Sequence, residues 1–226
     1  MSGILTPWAF AGGLVRGSLV MDARFTSPDA AAAAGFATAR NNIINVPLLA
    51  GGTVERAALV PAIGTDRWYG CGAFTTSTSN GLEAVSSAAE YGTAQRAVST
   101  PVSGIVGLQM PAEDTGSDAV ALSLYADVNN HISLGRRTST RVPFLDVKTN
   151  GMLVGSKETS AVNDDVELLV GFTVAEGEIN LYIDGQTFTL TDSGIIPPVS
   201  TSYVRVLADP AGAKHWYGAV TSLRIE

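Results

Sequence analysis

The side chains able to do covalent or metal chemistry are few and scattered. Glu113, Asp114 and Asp118 lie together in PAEDTGSD, and Glu176 and Glu178 flank Gly177. Two carboxylates held about 5–5.5 Å apart could divide acid and nucleophile roles between them. Both clusters fall in glycine-containing segments, where a solvated turn is the ordinary outcome. Asp114, Asp118, Asp164 and Asp165 could each join backbone carbonyls around calcium, but no EF-hand spacing is present and each reads as a surface acid. His131 and His215 are the only histidines and Cys71 the only cysteine. No zinc ligand set is readable, and no intramolecular disulfide can form. Cys71, in WYGCGAF, reads as a small buried residue. No catalytic residue, cofactor site or metal site is therefore assigned.

Composition narrows the class. A chain of 226 residues suits one large all-β domain or two small ones, with enough length for a substantial core. Charged residues make up 15% of it, against about 25% in ordinary globular chains. Lysine occurs only at Lys148, Lys157 and Lys214, the remaining cations being arginine. Lysine depletion with arginine retained is a feature of protein–protein interfaces, although a compact sandwich with a bland surface fits the same numbers. The net charge is −7 and the longest basic run is Arg136-Arg137, which argues against direct nucleic-acid binding. The first residues, MSGILTPWAFAGG, are apolar but have no Lys or Arg ahead of them and are interrupted by Pro7, Gly12 and Gly13. They make a poor signal peptide, and no apolar run reaches the roughly 18 residues of a membrane helix. The expectation is a protein made and retained in the cytoplasm, or released by lysis.

The elements that would position any site are strands. In NLYIDGQTFTL, Asp184-Gly185 is a favoured type I′ pair, because both central residues of that turn need positive φ. The turn pairs Ile183 with Gln186, Leu181 with Phe188 and Ile179 with Leu190, placing these apolar residues on one face. Asn180, Tyr182, Thr187 and Thr189 share the other. Asn150-Gly151 predicts a second hairpin, pairing Thr149 with Met152 and Val147 with Val154. Strands are also expected in SGIVGLQMP, AVALSLYADV, HISLGRR, DVELLVGFTV, SYVRVLAD and WYGAVTSLRIE, with an aromatic one in RWYGCGAFTTS. Near the N-terminus, Leu19, Met21 and Ala23 alternate with Val20, Asp22 and Arg24. Ser27, Pro28 and Asp29 form a helix start ahead of a run of alanines, predicting one short helix over residues 28–40, with a small-residue loop as the alternative. Strands every 8–15 residues, separated by turn signals, argue for an antiparallel sandwich or jelly roll.

Residues 166–225 carry further marks: VELLVGFTV before the LYIDGQ hairpin, then SYVRVL, then YGAVTSLRI as a closing strand. YADVNNHISLG and LDVKTNGMLVG precede them in the same order. This pattern resembles the C-terminal half of concanavalin A-like, laminin G-like jelly-roll domains. The resemblance covers about residues 100–226. It implies an all-β antiparallel β-sandwich, placed here over residues 51–226; residues 1–50 carry no such resemblance, and their own pattern predicts an extended arm, a strand and the short helix. On function it is nearly silent, because activity lives in sites grafted onto folds. Relatives include lectins, glycan hydrolases, adhesion modules and virion proteins. The hydrolases carry alternating Glu and Asp on one strand, and no Glu-x-Asp-x-x-Glu occurs here.

Two readings follow, both non-enzymatic. The first is a structural virion protein, of the phage capsid-decoration type, assembled in the host cytoplasm with homo-oligomeric or lattice neighbours. Its expected contacts are Ile4, Leu5, Trp8 and Phe10, with Trp8 and Phe10 as anchors. The alternative is a lectin-like module with a glycan as partner, using Trp68-Tyr69 and Trp216-Tyr217. Strand alternation sends at least one ring of each pair into the core. A glycan hydrolase is a distant third.

Overall fold

The computed structural model describes residues 19–24, 36–40, 68–69, 90–109, 118–160, 162, 167–214, 216 and 219–226. Most of the strands form where apolar residues recur between turn signals. In the first half these are β1 (Met21–Arg24), β2 (Phe36–Arg40), β3 (Trp68–Tyr69), β4 (Glu90–Ser99) and β5 (Val102–Gln109). The middle supplies β6 (Ala119–Asp127), β7 (Asn130–Arg136), β8 (Pro143–Thr149), β9 (Met152–Glu158) and β10 (Glu167–Ala175). The chain closes with β11 (Glu178–Ile183), β12 (Gln186–Thr191), β13 (Ser200–Val206) and β14 (Ala219–Ile225).

These strands build two antiparallel sheets. Sheet A runs β1-β14-β5-β10-β11-β12, with β3 also pairing to β14, and sheet B runs β2-β4-β13-β6-β7-β8-β9. The core lies between them. Val170, Phe172, Val174 and Leu181 of sheet A meet Leu122, Leu124, Leu134, Leu145, Val147 and Val204 of sheet B. Each such side chain, taken fully out of water, contributes about 1.5–3 kcal/mol. Close approach is built in at Gly104, where a Cβ would stand 2.6 Å from the Phe172 ring. The result is the expected all-β jelly-roll sandwich.

The Asp184-Gly185 hairpin forms with the register read from its sequence, Ile183 opposite Gln186, Leu181 opposite Phe188 and Ile179 opposite Leu190. Both turn residues have positive φ, 49° and 75°. Leu181 is fully buried and Phe188 packs on the core. The Asn150-Gly151 hairpin corrects one pair. Thr149 faces Met152, but Val147 faces Gly155 rather than Val154, because a register shift between Val147 and Lys148 inserts an extra residue into β9. In β1, Met21 and Ala23 are buried and Asp22 is exposed, as the alternation requires.

The helix expected over residues 28–40 is corrected where it can be compared. Phe36–Arg40 is a strand antiparallel to β4, so ladder pairing to that strand overrides alanine propensity. Residues 28–35 lie outside the described residues. Strand β4, ten residues long, went unmarked in the sequence because EYGTAQRAVS has little apolar content.

Leu181→Ala is expected to cost about 2–5 kcal/mol, since it empties a fully enclosed site. Urea denaturation of the variant checks this. A loss below about 1 kcal/mol would contradict the packing, as it is typical of surface positions.

Candidate functional site

Alternation along sheet B sends Val204, Leu122, Leu124, Ile132, Leu134, Leu145 and Val147 into the core. The residues between them must then face outward, and the register aligns them in rows. One row crosses Thr93, Arg205, Ser123, Ser133, Asp146 and Ser156. The next crosses Gln95, Tyr203, Tyr125, His131 and Lys148. Two rows of hydrogen-bonding and aromatic side chains on one face are a surface that can hold a polar ligand.

Arg205 organises one side of this face. Its guanidinium carbon lies 4.8 Å from the Tyr91 ring centroid and 4.9 Å from that of Tyr125, so the cation is held between two aromatic faces. Its Nε donates to Thr93 Oγ1 at 2.9 Å, and Nη1 donates to the carbonyls of Asp209 and Pro210. Those carbonyls belong to the segment 207–214, which folds over one end of the face. The Leu207 N–H donates to the Ala121 carbonyl, the Val120 N–H to the Lys214 carbonyl, and Ser123 Oγ to the Ala208 carbonyl. This segment buries Ser123; in the Tyr203 row beside it Gln95 is exposed, Tyr203, His131 and Lys148 are half-buried, and Tyr125 is buried. Tyr125 stacks on Tyr203 with centroids 5.2 Å apart and planes inclined by 25°, an offset arrangement that aromatic pairs favour. Tyr125 is largely buried beneath, whereas Tyr203 is half-buried and faces out.

At the same end as segment 207–214, Arg137 gathers the acids. It binds Asp118 at 3.0 Å, Asp146 at 2.7 Å and Glu158 at 2.8 Å, and its guanidinium stands 3.9 Å above the Phe144 ring. The three carboxylates hold the guanidinium charged, raising its pKa still further above the ordinary arginine value against the cost of burial. Asp146 also accepts from Ser156 Oγ, and Asp118 from the Thr138 N–H. One cation thus ties β8 and β9 to the segments flanking β6 and β7. Asp118, a calcium candidate in the sequence, is a partner of Arg137.

His131 sits between Tyr125 and Lys148 in this row. Its Nδ1 is buried with no partner in hydrogen-bonding geometry among the described residues. Burial, then the Lys148 ammonium, push its pKa below the usual 6.5, while Val128, Asp209 and Asp146 pull weakly the other way. The balance favours the neutral ring over the imidazolium.

Among the side chains first read as glycan contacts, Trp216 is fully buried in the core, and its indole N–H donates to the Gln109 carbonyl at 3.1 Å. It is not a platform. Trp68 and Tyr69 pair through their backbones with Val220 and Ala219. Tyr217, Ile4, Leu5, Trp8, Phe10, Cys71, His215, Glu113, Asp114, Asp164 and Asp165 lie outside the described residues. Glu176 and Glu178 are exposed at the β10–β11 turn, where Glu178 accepts from Asn180. The sequence did not point to Tyr125, Tyr203 or Arg205, whose grouping depends on β13 pairing with both β4 and β6. Among the described residues no group of three or more His, Cys, Asp and Glu could hold a metal, and no helix is long and apolar enough to cross a membrane.

Arg137→Ala leaves three carboxylates facing one another. It is expected to cost about 3 kcal/mol, the lower end for a broken buried pair, because Glu158 stands partly in water. Chemical denaturation measures it. For His131 the sign follows from its lowered pKa. As pH falls below 6.5 the unfolded chain takes up the proton first, so stability present above that pH is lost on the way down to the folded-state pKa. His131→Gln should remove this part of the pH dependence of the melting temperature. An unchanged profile would contradict the assignment.

No family model matches the sequence, and no curated protein matches it. Solved structures do align. The receptor-binding domain of botulinum neurotoxin type G aligns at 10% identity and a TM-score of 0.47, covering 60% of this chain and 36% of that one. Chicken galectin 2 aligns at 10% identity and a TM-score of 0.41, covering 57% and 92%. The carbohydrate-binding module CBM66 from Bacillus subtilis aligns at 11% identity and a TM-score of 0.40, covering 58% and 78%. The chain therefore spans about a third of the first of these and most of the other two.

Proposed function

We propose that the chain is a glycan-binding module whose ligand lies along the Gln95–Tyr203–Tyr125–His131–Lys148 row of sheet B. The observation that carries this reading is the outward Tyr203 ring, held rigid by its stack on Tyr125 and flanked by hydrogen-bonding side chains. A sugar presents an apolar C–H face and a rim of hydroxyls. An aromatic face takes the first, and Gln95 and Lys148 provide donors and an acceptor for the second.

The opposite sheet makes a poorer site. On the outer face of sheet A, Asn180 donates to Thr173 and Glu178 and accepts from Thr189, so its amide is already satisfied within the face. Binding without turnover is the expected mode. Asp118, Asp146 and Glu158 all spend their charge on Arg137, which leaves them poorly suited to act as a proton donor and a nucleophile.

The second reading is a structural component of a virion or other particle. Exposed apolar side chains at one end of the sandwich favour it, and association of the purified chain through that end would support it over glycan binding.

A glycan array probed with the full chain is expected to show saccharide binding that Tyr203→Ala weakens by about tenfold, corresponding to about 1.4 kcal/mol. Thr187→Ala, on the outer face of sheet A, should leave it unchanged. Absence of binding to any saccharide, or binding indifferent to Tyr203, would overturn the proposal.

A further inference from the structure

His131 Nδ1 is enclosed without a hydrogen-bond partner, and no other buried side-chain nitrogen or oxygen among the described residues shares that state. Buried polar atoms are paired in the great majority of cases, so an unpaired one needs a cause. The ring belongs to the row that crosses Tyr203, Tyr125 and Lys148. It is only half-buried, so with Nδ1 enclosed its open edge is the one that carries Nε2.

The surroundings decide which nitrogen holds the proton of the neutral ring. The Val128 carbonyl favours a proton on the ring without reaching hydrogen-bonding geometry at Nδ1. An enclosed lone pair facing that oxygen is repelled, whereas an N–H there is attracted. The proton then sits on Nδ1, and Nε2 keeps its lone pair at the open edge. Of the charges around the ring, Lys148 acts on it most strongly, ahead of Asp209 and Asp146. The acids that face the ring are engaged elsewhere. Asp146 binds Arg137, Asp209 accepts from the N–H groups of Ala211 and Ala213, and Asp127, at the end of β6, accepts from Asn129 and Asn130. Tyr125 and Tyr203 are the other titratable side chains along the row. The Lys148 ammonium has donors and no acceptor, so this row sets a lone pair beside a donor.

We infer that neutral His131 accepts a hydrogen bond at Nε2 from a saccharide hydroxyl whose oxygen accepts from Lys148, making the pair a selective contact for an uncharged, hydroxyl-bearing ligand. The inference rests on the glycan reading of the Tyr203 row. A hydroxyl fits because it donates and accepts at one oxygen, whereas a ligand carboxylate has no proton to give Nε2. A sugar over the ring also removes it further from water, and burial is already the largest influence against the imidazolium. Saccharide and proton therefore compete. Binding lowers the His131 pKa, and by linkage the affinity weakens by up to about tenfold per pH unit once the pH falls below the value in the free protein.

Nuclear magnetic resonance of the full chain tests each part. Ring nitrogen shifts of the free protein should show His131 protonated at Nδ1 and bare at Nε2. Lys148→Met should raise the His131 pKa, because it removes a charge that lowers it. Neutral hexose oligosaccharides are then titrated over about pH 5–8, the range in which histidine changes charge, with circular dichroism confirming the fold at each pH. Uronic-acid oligosaccharides of equal length serve as comparison. Saturation with a neutral oligosaccharide should lower the His131 pKa, and its affinity should fall on acidification. A neutral ring protonated at Nε2, a His131 pKa unmoved by Lys148→Met, or affinity that rises on acidification with uronic acids preferred would each overturn the inference. Failure of every saccharide to bind would remove the glycan reading and this inference with it. Binding that depends on Tyr203 but leaves the His131 pKa unmoved would overturn this inference alone.

Discussion

The cation of Arg205, held between Tyr91 and Tyr125, is the interaction on which the organisation of the outer face of sheet B turns. A guanidinium between two rings is fixed in orientation, and its remaining donors reach Thr93 on β4 and the carbonyls of Asp209 and Pro210. Three adjacent strands and the segment 207–214 are locked relative to one another by one side chain. Tyr125 meets the cation and also stacks on Tyr203. A ring with both neighbours fixed loses little further entropy when a ligand settles beside it, which is the advantage of a preorganised site.

The rest of the sandwich explains why this chemistry stands on the surface at all. Sheets A and B share a core so uniformly apolar that polar groups must lie outside it or be satisfied within the ladder. Sheet A meets this demand by pairing its outer polar groups with one another, as at Asn180. Sheet B meets it by concentrating charge around Arg137 near one end and leaving an aromatic row beside it. On the outer face of sheet A, Asn180, Thr173, Glu178 and Thr189 satisfy one another, whereas Gln95 stands exposed on sheet B.

Much of the fold could be read from residues alone, because hairpins are local. Asp184-Gly185 dictates its register through backbone conformation, and apolar alternation on both sides agrees with it. Asn150-Gly151 dictates only the pairs beside the turn, since the bulge at Val154 answers to packing of Gly155 against Ile179 and Ile195. Phe36–Arg40 was misread as helix because alanine propensity is local and its partner, β4, is some 54 residues further along the chain. The candidate site was invisible for the same reason at larger scale. Gln95, Tyr125 and Tyr203 come from three strands far apart in sequence, and no motif announces their meeting. Trp216, the most conspicuous ring in the sequence, proved to be core.

The central claim is that the Tyr203 row of sheet B receives a saccharide. Its most direct test is a backbone amide shift map of the full chain titrated with an oligosaccharide that it retains. The account predicts saturating shifts at Gln95, Tyr125, His131, Lys148 and Tyr203, with Asn180, Thr187 and Thr189 unmoved. Shifts confined to sheet A, or none on the outer face of sheet B at saturation, would contradict it.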